Sequence, residues 1–88
     1  MSYALEFAPD ARSEWQELDF GLQELVLDEL DAQTAHPPAK PSGVVLLHDL
    51  VHDAPGVRHY VFLRCILDHG TEALTVIGVV HYARPMTS

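Results

Sequence analysis

The chain has a single cysteine, Cys65, set inside an apolar run. One cysteine excludes an intrachain disulfide and a cysteine metal cluster, so the thiol reads as a small buried hydrophobe. Basic residues are scarce, five Lys and Arg against thirteen Asp and Glu, and the formal charge is −8. That balance argues against nonspecific binding to nucleic acid or anionic lipid. Long apolar runs are also missing: Val44 to Leu47 and Thr75 to Val80 fall far short of the roughly 20 residues a membrane-spanning helix needs. No membrane span is expected. The start, Met1-Ser2-Tyr3-Ala4-Leu5-Glu6, has neither the basic residues nor the apolar stretch of a secretory signal, so the expected location is the cytoplasm. The few glycines are scattered and form no phosphate-binding loop, and Ser13, Ser42 and Ser88 lack the context of a nucleophile. No cofactor is expected.

What is present suits one globular domain spanning 1–88. At 48% hydrophobic and 20% charged, the chain can close one core, and 88 residues are too few for two. Its charge is segregated. Residues 1–36 carry nine acids against Arg12 alone, while residues 37–88 are balanced and hold five of the six histidines, His48, His52, His59, His69 and His81. The first part reads as a solvated acidic helix face, and any anion site belongs in the second.

Tyr3, Leu5 and Phe7 alternate with Ala4, Glu6 and Ala8, the period of a half-buried strand. Pro9 suits the first helical position and Asp10 favours a helix N-terminus; Ala11, Trp15 and Leu18 then fall on one stripe. After a break around Phe20-Gly21, Asp19 is the expected cap of a second helix whose stripe is Leu22, Leu25, Val26 and Leu30, ending before Pro37. The two helices are expected to form a hairpin. The proline-rich stretch from His36 to Gly43 reads as a connector. Val44 to Val51 is of strand length, His52 to Gly56 reads as a turn, Val57 to Leu67 is a long strand, and Ala73 to about Tyr82 is the last. The order β-α-α-β-β-β predicts an α+β fold, an antiparallel sheet with a helix hairpin packed on one face.

Alternation in the long strand assigns Val57, His59, Val61, Leu63, Cys65 and Leu67 to the core. Arg58, Tyr60, Phe62, Arg64 and Ile66 then lie on the open face. In the last strand Leu74, Val76, Gly78 and Val80 are expected inward, with Thr75, Ile77, Val79 and His81 outward if no bulge intervenes. Arg58 and His81 would then share a surface. A plainer reading pairs the arginines with Asp68 or Glu72 and leaves His81 as a polar residue at a strand end. His48 and His52, four apart, would converge on a metal only on a helix; in a strand they stand about 13 Å apart, so no metal site is expected.

Three segments in this order, Leu5-Glu6-Phe7-Ala8-Pro9-Asp10-Ala11, Gly56-Val57-Arg58-His59-Tyr60 and Val79-Val80-His81-Tyr82, resemble the RelE/ParE toxin superfamily over nearly the whole chain. The superfamily includes plasmid-stabilisation proteins. The resemblance implies the toxin of a type II toxin–antitoxin pair, neutralised by an antitoxin protein. One branch cleaves messenger RNA in the ribosome and another blocks DNA gyrase.

For the ribonuclease branch the resemblance implies Arg58 against the scissile phosphate, His81 as general acid and Tyr82 as a stacking or orienting group. A 2′-hydroxyl would attack its own phosphate. Substrate contacts would fall to Arg64, Tyr60, Arg84 and His48. Where the ribonucleases place a carboxylate or lysines, this chain reads Val44-Val45-Leu46-Leu47-His48, so His48 is the residue available as base. The expected activity is endoribonuclease. The alternative is a gyrase inhibitor or an inactive homologue that only binds antitoxin, which would need neither a base nor a basic field. The acidic chain predicts a basic antitoxin tail.

Overall fold

The computed structural model describes residues 2–86; Met1, Thr87 and Ser88 lie outside the described residues. Its elements are β1 (Ala4–Phe7), α1 (Pro9–Gln16), α2 (Phe20–Ala35), β2 (Val45–Ala54), β3 (Val57–Asp68) and β4 (Ala73–Pro85). The sheet order is β1-β4-β3-β2. β2, β3 and β4 form the expected antiparallel meander, while β1 pairs parallel to β4, so the sheet is mixed.

Pro9 occupies the first turn of α1, whose N-terminal backbone groups would be unpaired in any case. Asp19 stands at the N-cap of α2, but its side chain makes no capping hydrogen bond. The helices are joined at their junction: Gln23 Nε2 donates to the carbonyl of Trp15 at 3.2 Å and of Gln16 at 3.3 Å. Each packs chiefly on the sheet. Leu22, Val26 and Leu30 recur every four residues along α2 and meet Val61, Leu63, Cys65 and Leu67 of β3 in one core. Full burial of each leucine contributes about 2 kcal/mol.

The connector is pinned by His69. Its Nε2 donates to the Lys40 carbonyl, its Nδ1 accepts from the Tyr3 hydroxyl at 2.7 Å, and its backbone N–H donates to Ser42 Oγ at 2.8 Å. One side chain thus ties the N-terminal segment, the connector and the β3–β4 turn.

Two local differences from the sequence reading govern the rest. The β2–β3 turn is only Pro55-Gly56, with Gly56 at φ 77°. Proline presets the first corner and glycine takes the left-handed second one, so the reversal needs only two residues. His52 and Asp53, expected in the turn, belong to β2 and face His59 and Arg58.

The second difference is a β-bulge. Arg64 pairs with Gly78 and Cys65 with Val76, leaving Ile77 as an extra residue in β4. A one-residue slip exchanges the two faces of every later side chain. Val79 is therefore buried and Val80 is 54% exposed, the reverse of the alternation expected. His81, paired with Val61, lies on the helix side of the sheet, not on the open face. A glycine within a strand commonly marks such an irregularity, and Gly78 is that mark here.

Candidate functional site

The open face is a ladder of cross-strand rows. Asp53, Arg58 and Arg84 form the first, Val51, Tyr60 and Tyr82 the second, Asp49, Phe62 and Val80 the third, and Leu47, Arg64 and Gly78 the fourth. Tyr60 stacks on Tyr82 with centroids 5.1 Å apart, Phe62 lies 5.6 Å from Tyr82, and the Arg84 guanidinium stands 5.7 Å from the Tyr82 centroid. Four of the sequence-derived candidates, Arg58, Tyr60, Tyr82 and Arg84, are thus adjacent. Arg64 lies on the same face, two rows further along, over Gly78. A Cβ at Gly78 would come within 3.2 Å of Arg64 Nε, so the glycine makes room for the guanidinium.

Arg58 is not paired with Asp68 or Glu72. Its Nε donates to Asp53 Oδ1 at 2.6 Å and its Nη2 to Oδ2 at 3.1 Å, a two-pronged ion pair. The hydrogen bond from Arg58 holds the Asp53 carboxyl below its usual range, while hydrogen bonds to Asp53 and then Tyr60 hold Arg58 more firmly protonated. Asp68 instead accepts from the backbone N–H groups of Gly70 and Thr71. The sequence suggests a turn at Asp53; the two-residue reversal at Pro55-Gly56 instead keeps it in β2, opposite Arg58.

The remaining candidates are on the other side. His48 pairs with Leu63 and points under α2, where its Nδ1 is 3.7 Å from Glu29 Oε1 and its buried Nε2 has no hydrogen-bond partner. His81 Nε2 lies 3.0 Å from His59 Nδ1, and the His52 ring centroid is 6.2 Å from that of His59. These three histidines form a ledge where the sheet outruns the helices. Burial on the helix side ends at Val61, whereas His59 is only half-buried and His52 and His81 are exposed. The shared Arg58–His81 surface expected from alternation is therefore not formed, because the bulge at Ile77 turns the end of β4 over. Among the described residues no group of three or more His, Cys, Asp or Glu has the arrangement to hold a metal ion.

Next to His81 a cavity of about 360 Å3 opens between α1 and β4, lined by Glu14, Glu17, Leu18, Val79, Val80 and His81. Glu14 Oε1 accepts from the Val79 backbone N–H at 3.2 Å. Cys65 is fully buried, and burial pushes its thiol up to about 11, which removes it from thiolate chemistry near neutrality. No helix among the described residues is long and apolar enough to cross a membrane.

The backbone of two helices on a four-stranded mixed sheet, with β1 beside β4, is shared with solved toxins. A double mutant of the E. coli toxin RelE in the free state, two of its arginines replaced by alanine, matches with a TM-score of 0.65 at 23% identity, covering 90% of this chain and 82% of the other. The chain has the RelE fold. RelE in the intact E. coli RelBE toxin–antitoxin complex gives 0.64 at 22% identity over 89% and 94% of the two chains. The RelBE2 toxin–antitoxin complex of Mycobacterium tuberculosis gives 0.63 at 15% identity over 93% and 100%. No protein-family model and no curated protein matches the sequence. At these identities the RelE fold is what is shared, and the side chains on it are this chain's own.

Proposed function

We propose that this chain is the toxin of a toxin–antitoxin pair, neutralised by a protein antitoxin, and that it acts by binding a target rather than by cutting RNA. The likeness to RelE over nine-tenths of the chain, both free and in complex with RelB, supports the toxin role. One geometric observation carries the preference for binding. Cleavage by 2′-hydroxyl attack asks for a cation on the phosphate and an acid on the leaving oxygen at the same phosphodiester, and Arg58 and His81 stand on opposite faces of the sheet. His48, the residue the sequence offered in place of the family's base, is turned under α2. The net charge of −8 also opposes approach to ribosomal RNA. A gyrase-type protein target fits these features.

A second reading keeps RNA as substrate, on the observation that Arg58, Arg84, Tyr60 and Tyr82 adjoin on one exposed face. Two guanidiniums and two stacking rings are the groups that hold a single-stranded nucleotide. Induced expression, with mapping of RNA 5′ ends and a parallel gyrase supercoiling assay, separates the two. Binding predicts growth arrest without new 5′ ends, retained in His81→Ala. New 5′ ends that vanish in Arg84→Ala would establish the second reading, and absence of any growth arrest would remove both.

A further inference from the structure

β4 is thirteen residues long, but β1 accompanies it only from Ala73 to Val76. From Ile77 onward no strand among the described residues lies on that side, and every residue from Val80 to Met86 is exposed. The bulge therefore does more than turn side chains over: it begins a stretch of free sheet edge. The Val79 N–H points away from β3, since Glu14 accepts from it. Backbone groups of an antiparallel ladder alternate in direction, so the N–H groups of His81 and Ala83 point out along the same edge. Pro85, which has no N–H, ends it.

This edge has two chemically different flanks. On the helix side, next to Val79 and His81, is the cavity walled by Glu14 and Glu17. On the open side are Val80, 54% exposed, and Tyr82, 40% exposed, continuing into Tyr60 and Phe62, with Arg84 at the far end of the edge. A strand laid along β4 would turn alternate side chains to these two flanks, a period of two. The flanks ask for Lys or Arg at one set of positions and apolar residues at the other. A second copy of this chain does not supply that pattern. Its edge-forming strands carry no Lys or Arg on the helix-side face: Leu5 and Phe7 on β1, Leu46, His48, Leu50 and His52 on β2, Val79, His81 and Ala83 on β4.

We propose that the free edge of β4, from Val79 to Arg84, takes an extended segment of a protein partner as a fifth strand, its basic side chains entering the Glu14/Glu17 cavity and its apolar ones lying beside Val80 and Tyr82. Backbone hydrogen bonds to His81 and Ala83 hold the segment, and the two flanks select its sequence. This deepens the toxin reading and rests on it, the partner being the antitoxin.

The test uses the full chain and the protein encoded by the adjoining reading frame. Amide hydrogen exchange should show His81 and Ala83 protected in the complex and open in the free chain. Glu17→Lys should weaken the complex by about tenfold, while the charge-matched Glu24→Lys on the exposed side of α2 leaves it unchanged. A complex that forms without protection of these amides, or with equal response to both reversals, overturns the edge proposal and leaves the toxin reading standing. Protection in the free chain that grows with its concentration would mean that a second copy occupies the edge, which also overturns it. If the adjoining protein does not bind at all, the toxin reading fails and this inference with it.

Discussion

His81 Nε2 stands 3.0 Å from Nδ1 of His59, across the β3–β4 ladder and on the face opposite Arg58. Two nitrogens at this separation share one proton, since two N–H groups pointed at each other would repel. Nitrogen-15 correlation spectra near neutral pH should therefore show one of the facing nitrogens protonated and its partner bare. Finding both bare or both protonated would mean that the pair is not hydrogen-bonded.

The bulge can be tested by removing it. Deleting Ile77 leaves Val76 against Cys65 and Gly78 against Arg64, so the pairings beyond it are unchanged. The deletion variant should fold, keep Val79 beside Leu63 and keep His81 on the helix side, at a cost of about 1–2 kcal/mol from local retwisting. Nuclear Overhauser contacts between Leu63 and Val79 report the outcome, and their loss would show that Ile77 is needed to set the register.

His69 joins three segments through three hydrogen bonds. His69→Ala removes the two side-chain bonds, to Tyr3 and Lys40, and leaves the backbone bond to Ser42; it should lower stability by about 1–2 kcal/mol, because the interactions are solvent-exposed. Its clearer effect should be faster proteolysis in the connector between Pro37 and Gly43. Tyr3→Phe removes only one of the bonds and should show a smaller change in both measurements.

Cys65 links stability to alkaline pH. Its thiol is raised from 9.0 to about 11 by burial, so the native state holds its proton more tightly than the unfolded state. The resulting stability is complete below pH 9 and is lost as pH rises toward 11, a decline of about 3 kcal/mol. Denaturant titrations at pH 8 and pH 10.5 should show about 2 kcal/mol of this decline, and Cys65→Ala should lack that part of it.

Strand and helix periods were legible because each depends on neighbours a few positions away. Leu22, Val26 and Leu30 could be assigned to one helical stripe, and Val61, Leu63, Cys65 and Leu67 to one strand face, without knowing what lay opposite. The open-face group of Arg58, Tyr60 and Arg64 followed from the same alternation within β3, which runs unbroken. Asp53 was missed because Pro55-Gly56 reverses the chain in two residues where five had been allotted. His59 was missed as His81's partner because it had been assigned to a core that ends at Val61.

The acidic first half, the single core and the order of six elements come from local composition and periodicity. The side of the sheet to which Val79, Val80, His81 and Tyr82 turn was decided by pairing with β3, which leaves Ile77 as an extra residue between Val76 and Gly78. The same holds for the bare edge of β4. Where β1 stops and α1 leaves the sheet is a property of the assembled layers, and no repeat within β4 itself encodes it.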